Sequence, residues 1–300
     1  MMIAQMNVFV YGTLRTGEKY SHLLKDAERT ASQAWINGSL YDTHCGYPAL
    51  EAHPYDIAYG ELYRVSTEEL AMLDLLEGYE EGRRENLFFR EKAVVNTDNG
   101  VREAYVYYLD HSRSEMKKEK ISSGDWKLHK WLKQQPERLF YFAYGSCMDD
   151  ERITSDGAAE HFNKDVLFGK LSGYSLCYSI SSKDGGRADI REGEGSVEGI
   201  LYTVRKEAVE YLFRREGVRA GRYRPAFVNV EADGRVIKNV LTFSVIEKKD
   251  DMRPPDHYAL EILRGAKGRV SEEYYDQLKR QMEMLGVETE KLEKNILNNY

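Results

Sequence analysis

The chain has 300 residues, 42% of them hydrophobic, and a formal net charge of −7. That length suits about two domains with real cores, and the acidic balance argues against nucleic acid or an anionic membrane as partner. No apolar run approaches a spanning helix and the N-terminus lacks a basic-then-apolar signal, so a cytoplasmic protein is expected. Cys45, Cys147 and Cys177, without a Cys-x-x-Cys pair, fit a reducing compartment and supply neither a disulfide framework nor a zinc site.

From the N-terminus, the β-branched and aromatic run Val8–Phe9–Val10–Tyr11 predicts a buried strand. It breaks at Gly12-Thr13-Leu14, where a missing Cβ and consecutive free N–H groups make a nest for an anion or an oxyanion. A short helix with Tyr20, Leu23 and Leu24 on one face follows. Strands are expected around 34–41 and 57–65, separated by the turn signal Gly46-Tyr47-Pro48. The Leu-rich, acidic segment 67–76 reads as a helix that closes on Glu77-Gly78. Residues 90–97 and 102–109 pair as a hairpin across Asp98-Asn99-Gly100. Segment 111–120 is charged and without apolar periodicity, which predicts an exposed loop. Trp126, Leu128, Trp131 and Leu132 mark a helix that Pro136 ends, and the first domain is placed at 1–136.

The rest, 137–300, repeats the plan. A second apolar strand runs into Tyr144-Gly145-Ser146-Cys147. Gly60-Glu61-Leu62-Tyr63-Arg64-Val65 returns as Gly199-Ile200-Leu201-Tyr202-Thr203-Val204, and 17 residues beyond each leading glycine stand Glu77-Gly78 and Glu216-Gly217. From loop glycine to glutamate is 65 residues in the first half and 71 in the second. Segment 184–196 reads as a variable loop, 226–231 and 236–245 as a hairpin, and the tail from Ser271 as a helix with Tyr274, Leu278 and Met282 on one side and Gly286 as its stop. Each domain is therefore expected to be mixed α/β: a small curved or barrel-like sheet with helices packed outside.

A nest of N–H groups can hold a carboxylate or stabilise a developing negative oxygen, and a glutamate can move a proton. No recurrent histidine, Ser-His-Asp order or nucleophile elbow supports acyl-enzyme chemistry. Glu77 and Glu216 are the candidate acid–base groups. Tyr11, Gly12, Thr13, Leu14 and Tyr144, Gly145, Ser146, Cys147 are the candidate binding loops. Taken alone, Glu77 would be an exposed helix-end residue; its recurrence argues for more. Glu216, beside Arg214 and Arg215, is either a second base or an ion-pair residue. Tyr11 and Tyr144 are packed strand ends or substrate contacts, and Arg15 reaches the substrate or is solvated. A phosphate-loop reading of Gly12 to Gly17 fails because Glu18 stands where a lysine is required. Cys147 has no histidine placed beside it to make a thiolate. His44, Cys45 and His53 lack a fourth ligand, so no metal site is expected.

The run Val8–Arg15, with Tyr47-Pro48-Ala49, Gly60-Glu61-Leu62-Tyr63, Leu73–Tyr79 and Ser123-Gly124-Asp125-Trp126, resembles the gamma-glutamylcyclotransferase-like superfamily in its avirulence-induced, gamma-glutamylamine branch. The second half, with Phe142–Ser146, Arg215–Val218, Tyr223-Arg224, 255–258 and Gly265-Ala266-Lys267, is similar to the branch nearer gamma-glutamylcyclotransferase proper. The resemblance implies intramolecular aminolysis. The substrate's α-amine attacks its own γ-carbonyl, giving 5-oxoproline and a free amine or amino acid, with no metal or organic cofactor and a small-molecule γ-glutamyl compound as partner; the oligomeric state is left open. It assigns the proton transfers to Glu77 and Glu216 and γ-glutamyl binding to the two loops. Cys147 departs from the asparagine usual there, and a thiol is a poorer donor. An ordinary glutamate near 4.3 facing an amine near 8 is mismatched by about 3.5 units, roughly 5 kcal/mol, so a working Glu77 is expected in a partly enclosed pocket beside the Gly12 loop. The alternatives are a non-catalytic binder of a γ-glutamyl or amino-carboxylate ligand, and hydrolysis of a γ-glutamyl amide to free glutamate.

Overall fold

The computed structural model describes residues 5–298, and the chain divides into two compact units, Met1–Gln134 and Gln135–Tyr300.

In the first, β1 (Met6–Val10) is followed by β2 (Glu28–Asp42), β3 (Pro48–Val65), α1 (Thr67–Glu77), β4 (Phe88–Thr97), β5 (Gly100–Leu109), β6 (Glu119–Lys120) and α2 (Trp126–Gln134). The sheet order is β3-β1-β5-β4-β2-β6, and a further β3–β2 pairing carries the sheet round on itself. β1 is apolar on both faces because both are covered. Phe9 packs with Leu40, Leu62, Val106 and Trp126, while Val8 and Val10 pack with Leu24, Leu70, Leu73 and Phe88. A reciprocal capping box opens α1: Ser66 accepts from the Glu69 N–H, and the Glu69 carboxylate accepts from the Ser66 N–H.

In the second unit, β7 (Arg138–Ala143), α3 (Asp150–Ser155), β8 (Phe162–Ser182), β9 (Gly185–Arg205), α4 (Lys206–Arg215), β10 (Tyr223–Ala232) and β11 (Arg235–Val245) precede α5 (Asp256–Ala266), α6 (Glu272–Met284) and α7 (Thr289–Asn298). Its five strands form a closed barrel, β10-β11-β7-β9-β8. The wiring repeats that of the first unit. β1 runs antiparallel to β3 and parallel to β5, as β7 does to β9 and β11. The mixed α/β class with outer helices is what the sequence predicts.

Two segments differ from expectation. Residues 111–120 are not a plain loop: His111–Met116 is a short 3-10 helix opened by Asp110, and β6 pairs with β2. Residues 184–196 lie almost wholly in β9, paired with β8, and Ala188, Asp189 and Ile190 are buried. Glycines disguised this strand as a loop. A Cβ on Gly186 would stand 2.4 Å from the Met252 carbonyl, and one on Gly195 2.6 Å from Ser175 Oγ, so both mark close crossings rather than turns. The tail helix α6 starts at Ser271, whose hydroxyl accepts from the Tyr274 N–H, with Tyr274, Leu278 and Met282 buried; α5 and α7 were not foreseen.

Candidate active site

The turn after β1 and the end of α1 line one cleft of about 130 Å³. Tyr11, Gly12, Thr13 and Leu14 form one wall and Leu76 and Glu77 another; Tyr20, Tyr47, Pro48, Leu87, Phe88 and Tyr107 complete it. No acceptor takes the N–H groups of Gly12, Thr13 and Leu14 among the described residues. Arg15 N–H closes the turn on the Gly12 carbonyl at 3.1 Å, and Tyr20 N–H bonds the Thr13 carbonyl at 2.8 Å. Gly12 is needed for contact rather than for positive φ: a Cβ there would lie 2.7 Å from Pro48 Cγ. The Tyr11 hydroxyl donates to the Tyr107 carbonyl at 2.7 Å, so what Tyr11 offers the cleft is its ring and backbone.

Glu77 is the last residue of α1. Gly78 takes the left-handed conformation (φ 63°, ψ 35°), and Tyr79 N–H returns to the Asp74 carbonyl at 2.9 Å. The helix thus stops where Glu77 faces the cleft. Among the described residues no donor or cation reaches its carboxylate. Burial pushes it up to about 7, and its place at the negative end of a helix acts in the same sense.

Arg15 does neither thing expected of it. It is buried, with Nη1 3.0 Å from Asp125 and Nε 3.5 Å from Glu61. Glu61 also accepts from Thr16 N–H (2.9 Å), Thr16 Oγ1 (2.8 Å) and Tyr63 (3.0 Å), with Lys127 Nζ at 3.5 Å. Burial alone would raise Glu61, but Lys127 and Arg15 outweigh it and hold the carboxyl at about 2. The turn therefore rests on a buried, paired network. Sequence offered little sign of it, because Arg15 and Asp125 are 110 residues apart.

The second unit brings its loop and glutamate together as well, in a cleft of only about 30 Å³ lined by Tyr141, Tyr144 to Cys147, Ala188, Glu216, Tyr223, Phe243 and Tyr258. Tyr144 donates to the Phe243 carbonyl at 2.7 Å, repeating the Tyr11 bond. Glu216 is not free: Cys147 Sγ donates to its Oε1 at 3.3 Å. Burial raises Glu216, partly countered by Arg215, which itself bonds Asp156 and Ser146 Oγ. Burial pushes the Cys147 thiol up to about 12, which removes the thiolate reading. Tyr258, on α5, sets its hydroxyl 3.2 Å from Ala188 N–H, against the loop. His44 and Cys45 sit beside β6 and His53 on β3; the one three-ligand cluster among the described residues, Asp42, His44 and Glu119, has Lys133 bonded to both carboxylates at 2.8 Å. No described helix is long and apolar enough to cross a membrane.

Two domains, each carrying a Tyr-Gly turn and a helix-end glutamate in one cleft, define the class, and family models match both. The model described as "Gamma-glutamyl cyclotransferase, AIG2-like" matches residues 8–128, and that of the "AIG2-like family" matches 196–278. The chain belongs to the gamma-glutamylcyclotransferase-like family, as a tandem of two such domains. Over 281 residues, 93% of this chain and 98% of the relative, it is 39% identical to Bacillus subtilis YkqA, which carries the gamma-glutamylcyclotransferase name provisionally. The crystal structure of YkqA superposes with a TM-score of 0.85 at 38% identity, covering 95% of this chain and all of that one. The gamma-L-glutamyl-butirosin B gamma-glutamyl cyclotransferase of Niallia circulans is 39% identical over 125 residues, 41% of this chain and 77% of the relative.

Proposed function

We propose that the first domain catalyses a gamma-glutamyl cyclotransfer, converting a γ-glutamyl amine or peptide to 5-oxoproline and a free amine or amino acid. The observation that carries this reading is a partner-free Glu77 sharing one cleft with three unused N–H groups. The substrate's α-amine attacks its γ-carbonyl, and a C–N bond forms as Glu77 takes the proton. The carbonyl oxygen turns negative against the N–H groups of the loop, and the proton returns to the leaving nitrogen as the old amide bond breaks. With Glu77 near 7 and an amine near 8, the proton-transfer mismatch falls to about one unit, roughly 1.4 kcal/mol. The chemistry as written asks for a base and oxyanion donors and for no cofactor. The three unpaired cysteines fit work in the cytoplasm on a small-molecule partner.

A second reading, that the second domain binds without catalysing, is favoured by one observation: Glu216 is already engaged by Cys147 in a cleft about a quarter the size. The test is to incubate the full chain with γ-glutamyl dipeptides and γ-glutamyl amines and measure 5-oxoproline. Product from wild type and from Glu216→Gln, but not from Glu77→Gln, is the expected result. Free glutamate in its place would mean hydrolysis, and tight binding without turnover would mean a binder.

A further inference from the structure

Asp74 stands one turn before Glu77 on α1, on the same side of the helix. Its carboxylate accepts two bonds from Arg90 Nη1, at 3.0 and 2.8 Å, and one from the Tyr107 hydroxyl at 2.7 Å. Arg90 comes from β4 and Tyr107 from β5, so the end of α1 is clamped to both strands of that hairpin. Tyr107 also takes the Tyr11 hydroxyl bond on its carbonyl and lines the cleft. One residue thus touches the binding turn, the cleft and the clamp on the helix that bears Glu77. Arg90 lies over the rings of Tyr79 and Tyr105, at 5.1 and 4.6 Å, which fixes the guanidinium.

The second domain shows what replaces this clamp where Glu216 is held by a thiol. Asp74 corresponds to Phe213, three residues before the glutamate in each case, and Tyr107 to Phe243, whose carbonyl takes the Tyr144 bond. The two phenylalanines meet edge to face at 6.0 Å. The polar pair and the aromatic pair occupy equivalent places, so these two positions can be filled without charge. We infer that Asp74, with Arg90 and Tyr107, positions Glu77 and sets the electrostatic field in which it exchanges its proton. This rests on Glu77 being the proton carrier. The other titratable groups facing Glu77 are phenols: Tyr11 on the turn, Tyr47 ahead of β3 and Tyr107 on β5, all raised by burial and uncharged at neutral pH, with Tyr20 across the cleft. Asp74, one helical turn from Glu77, and Arg90 form the salt bridge on that side of the helix.

The test is the acid limb of kcat/KM against pH in the full chain. Asp74→Asn strips a negative charge and leaves Arg90 uncompensated, which should move the limb down by about half a unit; Arg90→Met leaves Asp74 uncompensated and should move it up by a similar amount. Tyr107→Phe, which removes one hydroxyl, should lower kcat several-fold with KM little changed, and Arg90→Lys should restore the wild-type limb position. Opposite shifts from the two charge variants support the inference. A limb that stays put in both, or moves the same way in both, overturns it. If either charge variant melts early, the Tyr107→Phe split decides: an unchanged kcat overturns the inference. Activity surviving in Glu77→Gln would instead bring down the functional reading, and this inference with it; loss of activity there with unmoved limbs brings down this inference alone.

Discussion

The two domains share a topology, a Tyr-Gly turn and a helix-end glutamate, yet they support those parts by opposite means. In the first, the turn rests on Arg15, Glu61, Asp125 and Lys127, all buried and paired. In the second, the residues at the places of Arg15 and Glu61 are Met148 and Ile200, both fully buried, and the ion pairing is moved to the far end of the turn, where buried Asp149 accepts from Arg264 at 2.6 Å and Arg269 donates to the Met148 carbonyl at 2.7 Å. Apolar packing is the more forgiving of these supports, since a buried ion pair repays its desolvation only while both partners are present. The costlier arrangement is kept where the glutamate is free and the cleft is open. That argues for support matched to chemistry, not to fold stability alone.

The two domains should differ most in the pair Glu77→Gln and Glu216→Gln. The first should cut turnover by about a hundredfold or more, the second should leave it unchanged, and 5-oxoproline formation measures both. Because burial holds Glu77 near 7, its carboxylate form grows in as pH rises, so kcat/KM should climb from pH 5.5, pass its half-value near 7 and level off about one unit higher. The same raised value means that ionising Glu77 costs stability above its unfolded value near 4.5. Glu77→Gln should therefore melt higher than wild type at pH 8 and not at pH 4, by calorimetry.

Next in size is the network under the turn. Glu61→Gln leaves Arg15 and Lys127 without their shared anion and should cost about 3–5 kcal/mol in urea unfolding, whereas Ile200→Val at the matching place should cost about 1 kcal/mol. Glu61 is held near 2 against an ordinary 4.5, so its contribution is complete above 4.5 and lost as pH falls through 2. The shift corresponds to roughly 3 kcal/mol, and the Gln variant should flatten that part of the acid-denaturation curve. Smaller again, Gly12→Ala drives a methyl against Pro48 and should cost about 1–3 kcal/mol with a marked loss of turnover. Gly145→Ala meets the Ala188 methyl at 3.1 Å and should leave turnover alone. The smallest effect should be common to both domains: Tyr11→Phe and Tyr144→Phe each remove one hydroxyl-to-carbonyl bond of 2.7 Å, worth about 1 kcal/mol by thermal melts.

Much of this is legible in the amino-acid sequence itself. Repetition of Tyr-Gly and Glu-Gly at similar separation was enough to pair Gly12 with Glu77 and Gly145 with Glu216, because the strands and helix between them show ordinary periodicity. What escaped was set by contacts between distant residues. Arg15 reads as a surface or substrate-facing cation until Asp125 and Glu61 are seen to enclose it. The strand through 184–196 was hidden by glycines whose role is to let neighbouring backbone pass. Asp74 could have been found, since it lies one helical turn from Glu77, but its meaning depends on Arg90 and Tyr107 arriving from another hairpin. The smaller cleft is lined in part by Tyr258, carried in by a helix that the sequence does not announce.

Gly60 and Gly199 sit where the strand feeding each turn crosses its neighbour; a Cβ would stand 2.3 Å from the Val10 carbonyl in one and 2.2 Å from that of Ala143 in the other. Any larger residue would pry the barrel open at that seam, whether or not the adjoining cleft works on anything. Selection for mere foldability is thus sufficient to preserve this part of the shared signature, and a silent domain can go on looking like an enzyme long after its reaction has lapsed.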